Sequence, residues 1–289
     1  FRNSRIIGRR FQLVHVFFKD TIVEVSTFRT TASESAKNIF GTMSEDVSRR
    51  DFTMNALYYD PENEYIIDYV GGYEDIRKGR VKALVPLELS FPEDPVRMIR
   101  AIRYSATTGF ALYGKISKHL KKRAPLIASV PVSRLTEELF KILSSGSSRA
   151  FIESAVEHGL FVHFLPEIDK RLNSETEGDI WDKLAGLLDA LDEEIRANRP
   201  VQKGAMIAAL TGPFYFPPEP VSRDMHLVRK EAFLQLKAVL APLTPPNMEV
   251  EKAVQRLVGG SPKVRHRRRS GRKRTGPRER HPGRETTAQ

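Results

Sequence analysis

Arg49, Arg50 and Asp51 stand in a row, followed by Phe52, Met54, Ala56 and Leu57 with Asn55 among them. Two guanidiniums suit an anionic substrate, because each forms paired, directed hydrogen bonds to phosphate or ribose oxygens. The carboxylate after them suits a hard cation or a sugar hydroxyl. The apolar residues would tie the triplet to packed structure and keep its geometry fixed. A solvated salt-bridge cluster is the commoner use of such a triplet. A second candidate is Asp94 with Arg97, three residues apart, sharing a helical face with Arg100 and, a turn later, Tyr104. A carboxylate acceptor and a guanidinium donor at that spacing can read the edge of a base. They can also form a plain intrahelical ion pair worth about 0.3 kcal/mol.

The elements around these residues follow from periodicity. Residues 11–18 and 21–28 alternate, with a turn at Lys19 and Asp20, and predict a β-hairpin. Its second strand sets Glu24 and Ser26 opposite Val23 and Val25, so one face should meet the core and the other a cleft that Glu24 would line; a solvent-facing carboxylate is the alternative. Residues 30–43 read as a loop. Ser44 is expected to cap a helix with Glu45 and Asp46 in its first turn, carrying Arg49 to Asn55 toward its middle. On it Arg50 and Asp51 would diverge by about 100 degrees, one toward a nucleotide and the other toward metal or ribose. Two short strands, residues 58–60 and 64–69, lead to Gly71 and Gly72. The glycine pair is sufficiently explained as a turn, and close approach of a ligand is the lesser reading. A short helix to Gly79 and a strand over 80–85 follow.

From Pro92 the period becomes helical. Val96, Ile99, Ile102 or Arg103, and Ala106 form the buried stripe of a helix entered at Pro92 to Pro95. Helices are predicted over 115–123, 134–143, 148–158, 160–165, 180–195, 202–210, 227–241 and 250–258. Ser133 and the acids after it look like a helix start. Lys121, Lys122 and Arg123 could follow a nucleic-acid backbone or be simply solvated. His158 and His163 have no acidic or second-His partner at convincing metal-ligand spacing, and all seven histidines are left without an assigned role.

The chain has 289 residues, 40% of them hydrophobic, enough for two or so packed units. It has no cysteine, which excludes disulfides and thiolate metal sites and fits a reducing compartment. No apolar run approaches a membrane span, and a cytoplasmic protein is expected. The net charge is +11, of which residues 261–289 carry +9. In that tail Arg267, Arg268, Arg269, Arg272, Lys273 and Arg274 are interspersed with Gly, Pro and Ser, a composition expected to be disordered. Such a polycation would bind RNA phosphates without reading sequence; a merely solubilising tail is the alternative.

Three stretches carry a resemblance. Arg50, Asp51, Phe52 and Thr53; residues 65–76 around the paired glycines; and residues 93–104 with Glu93, Asp94, Pro95, Val96 and Arg97 stand in the order and spacing of one family. They resemble the head and neck of the bacterial poly(A) polymerase and CCA-adding tRNA nucleotidyltransferase family (class II). Residues 1–11 and 22–29 are similar to the poly(A) polymerase branch, and an arginine-rich C-terminal end is also what that branch implies. The resemblance covers residues 1–170 and, more weakly, the chain to 260.

The resemblance implies an α+β fold. Residues 1–90 would be the C-terminal part of a nucleotidyltransferase head with a small β-sheet, 91–170 a helical neck, 171–260 a helical body, and 261–289 a disordered basic tail. It implies transfer of AMP from ATP to an RNA 3′ end, with Arg49, Arg50, Asp94, Arg97, Arg100 and Arg103 binding nucleotide, Asp94 and Arg97 selecting its base. Arg134 resembles the family's arginine in the neck. Two Mg2+ ions would serve the chemistry on converging carboxylates. The Gly-Gly turn and Asp-x-Asp pair that hold them in the family are missing here, which implies an N-terminally truncated chain, inactive alone. Asp51 matches the family's third acid, and Glu24 is a weaker metal candidate. CCA addition to tRNA is the alternative within the family. A non-catalytic RNA-binding protein is the alternative outside it.

Overall fold

The computed structural model describes residues 2–7, 13–19, 21–30, 40–174, 179–217 and 224–259. The tail with Arg267, Arg268, Arg269, Arg272, Lys273 and Arg274, and most of the expected loop over 30–43, lie outside the described residues.

β2 (Leu13–Phe17) and β3 (Ile22–Val25) form the expected hairpin, and β1 (Ser4–Ile7) adds an antiparallel third strand on the other side of β2. The register lines up Ile6, Val14 and Val25, then Ser4, Val16 and Val23, on one face. That face does not meet the core as expected: Val16 is buried, but Val23 and Val25 are 44% and 49% exposed. On the opposite face His15 Nε2 lies 3.0 Å from Glu24 Oε1.

α1 (Met43–Ser48) is capped by Thr42 rather than Ser44; the Thr42 hydroxyl accepts from Glu45 N–H, and the Glu45 carboxylate accepts from Thr42 N–H. The helix stops before Arg49, so the expectation that it carries Arg49 to Asn55 is corrected. Phe52 is extended, its ring buried edge-on to Tyr104 at 5.7 Å. The backbone on either side pairs with a distant segment, Thr53 N–H donating to Lys82 O and Leu84 N–H to Asp51 O. A single 3-10 turn, Thr53–Asn55, follows.

β4 (Leu57–Asp60) and β5 (Tyr65–Asp68) form an antiparallel hairpin that leads through Gly71, at φ +76°, into α2 (Gly72–Arg77). The Asp68 carboxylate accepts from the N–H groups of Val70, Gly71, Gly72 and Tyr73, which fixes the turn. A Cβ on Gly72 would sit 2.2 Å from the Thr53 carbonyl oxygen, so this glycine is required by backbone packing. β6 (Arg80–Val81) pairs in parallel with β7 (Ala111–Leu112), a non-local strand that interrupts the otherwise helical neck.

The helical part comprises α3 (Leu87–Glu93), α4 (Val96–Thr108), α5 (Ile116–Arg123), α6 (Val132–Leu143), α7 (Ser148–Glu157), α8 (Phe161–Phe164), α9 (Pro166–Leu172), α10 (Ile180–Arg196), α11 (Lys203–Thr211), α12 (Met225–Leu240) and α13 (Asn247–Val258). α3 and α9 are not predicted from the sequence. The Pro86 carbonyl accepts from Leu89 and Ser90 N–H and starts α3, and Pro92 lies inside it. α6 begins behind Pro131, and Ser133 lies inside it without a capping role. One continuous apolar core runs from Phe52 and Val81 through the α4 stripe of Val96, Ile99 and Ile102 to Val254 in α13. Among the described residues no helix is long and apolar enough to cross a membrane.

Candidate functional site

Arg50 and Asp51 diverge as expected, but because the chain leaves the helix between them rather than through helical rotation. Arg50 turns back on α1, where its Nη2 and Nε donate to Asp46 Oδ2 at 2.7 and 3.1 Å and its guanidinium lies 5.6 Å from the Tyr58 ring centre. Tyr58 donates its hydroxyl proton to the same oxygen at 2.7 Å, and Arg29 N–H donates to Asp46 Oδ1. Burial pushes the Asp46 carboxyl up, but the hydrogen bonds from Tyr58, Arg50 and Arg29 outweigh it and hold it below its ordinary value. Arg49 is exposed and donates to the Thr30 carbonyl.

Asp51 turns the other way. Its Oδ1 accepts from Phe52 N–H at 2.9 Å and Asn55 Nδ2 at 3.0 Å, and its Oδ2 lies 3.5 Å from Arg100 Nη1. Arg100 belongs to α4, and its Nε is 3.6 Å from Glu138 Oε1 on α6. Glu138 is 2% exposed and also meets Lys141 Nζ at 2.9 Å and Arg103 Nε at 3.5 Å. That last pair is an ion contact rather than a hydrogen bond, since Arg103 Nε and Glu138 Oε2 are both buried with no hydrogen-bond partner. Burial disfavours the Arg100 cation, but Glu138 and Asp51 outweigh it and raise its pKa.

Asp94 and Arg97 neither share a helical face nor form the intrahelical ion pair that is the alternative to base reading. Asp94 is extended and precedes Pro95, its Oδ1 accepting from Val96 N–H at 3.3 Å. Its Oδ2 takes Arg134 Nη2 at 3.0 Å, while Arg97 Nη1 donates to Glu93 at 2.8 Å and to Ser90. Proline before the helix has no N–H to offer and holds Asp94 outside the helical face. Arg134 and Glu138 are four apart on α6, and that one helix therefore braces both Asp94 and Arg100. The two patches singled out in the sequence are therefore both tied to α6, Asp51 through Arg100 to Glu138 and Asp94 directly to Arg134.

Glu138 and Asp46 escape sequence reasoning. The signal for Glu138 is a carboxylate on the apolar stripe of Leu135, Leu139 and Ile142, where a charge must find partners. For Asp46 the signal is weaker, since an acid in a helix's first turn has a sufficient local explanation.

Glu24 lies on a separate sheet against His15, and Asp51 has both oxygens engaged. Among the described residues no three His, Asp or Glu side chains cluster to hold a metal ion. Asp51 and Glu24 do not converge, so these two carboxylates by themselves do not fit a Mg2+ site, which on the family resemblance needs the further Asp-x-Asp pair. His158 has a structural explanation, with its Nδ1 2.8 Å from the Ser154 carbonyl oxygen.

Residues 1–82 match the family described as the poly A polymerase head domain, and residues 109–172 one described as the probable RNA and SrmB-binding site of polymerase A. Poly(A) polymerase I of Salmonella typhi is 34% identical over 233 residues, 75% of this chain and 50% of that one. A CCA-adding enzyme of Bacillus velezensis is 34% identical over 166 residues, 55% of this chain and 42% of that one. The chain spans about half the length of the curated relatives it matches. In fold it is similar to a tRNA nucleotidyltransferase solved with a primer tRNA and an incoming ATP analogue, at a TM-score of 0.60 and 21% identity, over 90% of this chain and 70% of that one. With the motif stretches, the braced Asp51 and Asp94 patches and these matches together, the chain belongs to the poly(A) polymerase and CCA-adding nucleotidyltransferase family.

Proposed function

We propose that this chain supplies the nucleotide-gripping part of a template-independent nucleotidyltransferase that adds AMP from ATP to RNA 3′ ends. In that reaction the RNA 3′ hydroxyl oxygen forms a bond to the α-phosphorus of ATP, the bond to the β-phosphate oxygen breaks, and pyrophosphate leaves. The observation that carries the reading is that α6 braces both patches: its Glu138 meets Arg100, which meets Asp51, and its Arg134, four residues earlier, meets Asp94. A single nucleoside triphosphate spanning both patches would use this common support.

On this reading Arg49 and Arg50 take phosphate oxygens, Asp51 the ribose hydroxyls, and Asp94 and Arg97 the base edge. Arg100 and Arg103 set the field around the triphosphate, and Arg100 holds Asp51 in place. Bidentate guanidinium contacts would supply most of the affinity and the base edge most of the choice. By itself the chain would bind nucleotide and transfer none, because among the described residues no three His, Asp or Glu side chains cluster to hold the metal ions the reaction needs. Adenylate addition is favoured over CCA addition by the longer reach of the likeness: 233 residues to the Salmonella poly(A) polymerase against 166 to the Bacillus velezensis CCA-adding enzyme.

The test gives the full-length protein ATP or CTP with either unstructured RNA or tRNA ending before CCA. The reading expects AMP to be added to unstructured RNA. CTP added to tRNA would replace it with the CCA reading. RNA binding with neither nucleotide transferred would leave a non-catalytic RNA-binding protein.

A further inference from the structure

The hairpin of β4 and β5 and the turn into α2 carry charge of one sign: residues 57–76 contain six Asp and Glu and no Lys or Arg. They also contain five of the chain's eight tyrosines. Pairing of Leu57 with Asp68 and of Tyr59 with Ile66 defines the outer face of the hairpin, and pairing of Tyr58 with Ile67 the inner one. The inner face is engaged, since Tyr58 lies beside the Arg50 guanidinium and donates to Asp46. The outer face is open, with Tyr59 61% and Ile66 54% exposed. Asp68 on that face accepts from Tyr73 N–H and draws the following turn to its edge. Tyr65, Tyr69 and Tyr73 are exposed as well. Among the described residues the ring contacts of tyrosine are those of Tyr58, Tyr104 and Tyr113, and the four exposed rings meet neither another ring nor a cation.

The acids divide by use. Glu74 pairs with Arg77 and Lys78, Asp75 with Lys82, and Asp68 is taken up by the turn. Asp60, Glu62 and Glu64, at the tip of the hairpin, stand outside the ion pairs of the described residues. The side chain of Asn63 and the N–H groups of Glu62 and Asn63 hold the Asp60 carboxyl below its ordinary value. Exposed rings beside unpaired carboxylates suit guanidinium groups, which stack on ring faces and pair with acids. The same carboxylates repel phosphate. The chain itself carries a segment of the matching chemistry: residues 261–289 include nine Arg and a net charge of +9. Fully extended, a stretch of that length reaches up to about 100 Å, against a diameter of roughly 50 Å for a compact chain of this size. Reach therefore does not limit the contact.

We propose that the basic tail docks on the outer face of the β4–β5 hairpin, its guanidiniums stacked on Tyr59, Tyr69 and Tyr73 and paired with Asp60, Glu62 and Glu64. The tail is thereby masked until a stronger polyanion draws it off. The proposal stands on the exposed face and the two opposite charges, and not on the reaction proposed above.

Because the chain has no cysteine, Pro61→Cys and Ser270→Cys together place a donor and an acceptor dye at chosen points, and energy transfer within the whole chain reads the docked fraction. Transfer should fall in about 1 M salt, where charges are screened beyond about 3 Å. It should fall also in Tyr59→Ser, Tyr69→Ser, Tyr73→Ser together, and in Glu62→Gln with Glu64→Gln. Each exposed contact between a ring and a guanidinium is worth about two- to fivefold in the docking equilibrium, so loss of three weakens docking about tenfold or more. A tail docked in about three chains of four would then be docked in about one of four. Melting should match wild type in both variants, since every substituted side chain is exposed. Transfer that is the same in wild type, in both variants and in high salt overturns the proposal. So does transfer seen only between singly labelled chains mixed together, which means that a second copy supplies the tail. Affinity for oligo(A) that falls in the tyrosine variant overturns it too, because RNA bases then occupy the face.

Discussion

Glu138→Gln removes one negative charge and keeps the side chain's shape, which makes it the cleanest probe of the joint between the two patches. The wild-type carboxylate is buried among Arg100, Arg103 and Lys141. Removing one member of a buried ion pair typically costs about 3 to 5 kcal/mol, because the partner charge is left uncompensated. Here the loss should fall near the lower end, about 3 kcal/mol. Arg100 keeps Asp51, and Lys141, whose side chain is 49% exposed, returns to water. Arg103 is the member left worst off, with 17% side-chain exposure and no other acid in its ion pairs. For a chain of this size about 3 kcal/mol corresponds to a fall in Tm of roughly 6 to 10 °C. Thermal and urea unfolding followed by circular dichroism, on Glu138→Gln, Asp51→Asn and the double variant, give both the loss and the coupling carried through Arg100, expected near 1 kcal/mol. A loss below about 0.5 kcal/mol, the range of ordinary surface substitutions, would refute Glu138 as the charge that organises this joint.

Two more expectations concern the turn that backs the site. Gly72→Ala places a Cβ 2.2 Å from the Thr53 carbonyl oxygen, while Gly71→Ala meets open space and only the strain of φ +76°. The first should therefore cost well over the roughly 1 to 2 kcal/mol of left-handed strain that limits the second, and the reverse order in urea unfolding would contradict the packing argument. For Asp68, burial pushes the carboxyl up, but the N–H groups of Tyr73, Val70, Gly72 and Gly71 outweigh it and depress the pKa. A depressed carboxyl stabilises the fold above its unfolded value and loses that contribution as pH falls through the folded one. Asp68→Asn should accordingly be less stable than wild type at pH 7, with the gap closing below about pH 4; a gap constant from pH 7 to 2 would sink this.

Much of the fold is legible in the sequence wherever the determinants are local. The hairpin of β2 and β3, the paired-glycine turn into α2 and the long helices α10 and α12 all follow from periodicity and turn chemistry. What escapes depends on contacts across long stretches of chain. Residues 51–53 leave the expected helix because residues 82–84 pair with them, a partner some thirty residues away that no local pattern announces. β7 exists only because β6 is beside it. The candidate site divides the same way. Residue types and spacing point to Arg50, Asp51, Asp94 and Arg97, but the partners of each, Asp46, Arg100, Arg134 and Glu93, are set by tertiary packing. Pro95 was the readable warning that Asp94 stands outside the helical face. The stretch of residues 57–76 without Lys or Arg was equally readable, hidden behind the larger charge of the tail.

Nucleotide binding by this chain tests the central claim most directly. Titrating ATP and CTP into wild type and into the Asp94→Ala, Arg97→Ala double variant separates the triphosphate grip from the base reader. The claim that one triphosphate lies across both patches predicts that wild type binds ATP more tightly than CTP. The variant should keep affinity within about tenfold, a change of 1.4 kcal/mol, and lose the preference. Equal discrimination in wild type and variant, or no triphosphate binding by the wild-type chain, would contradict it.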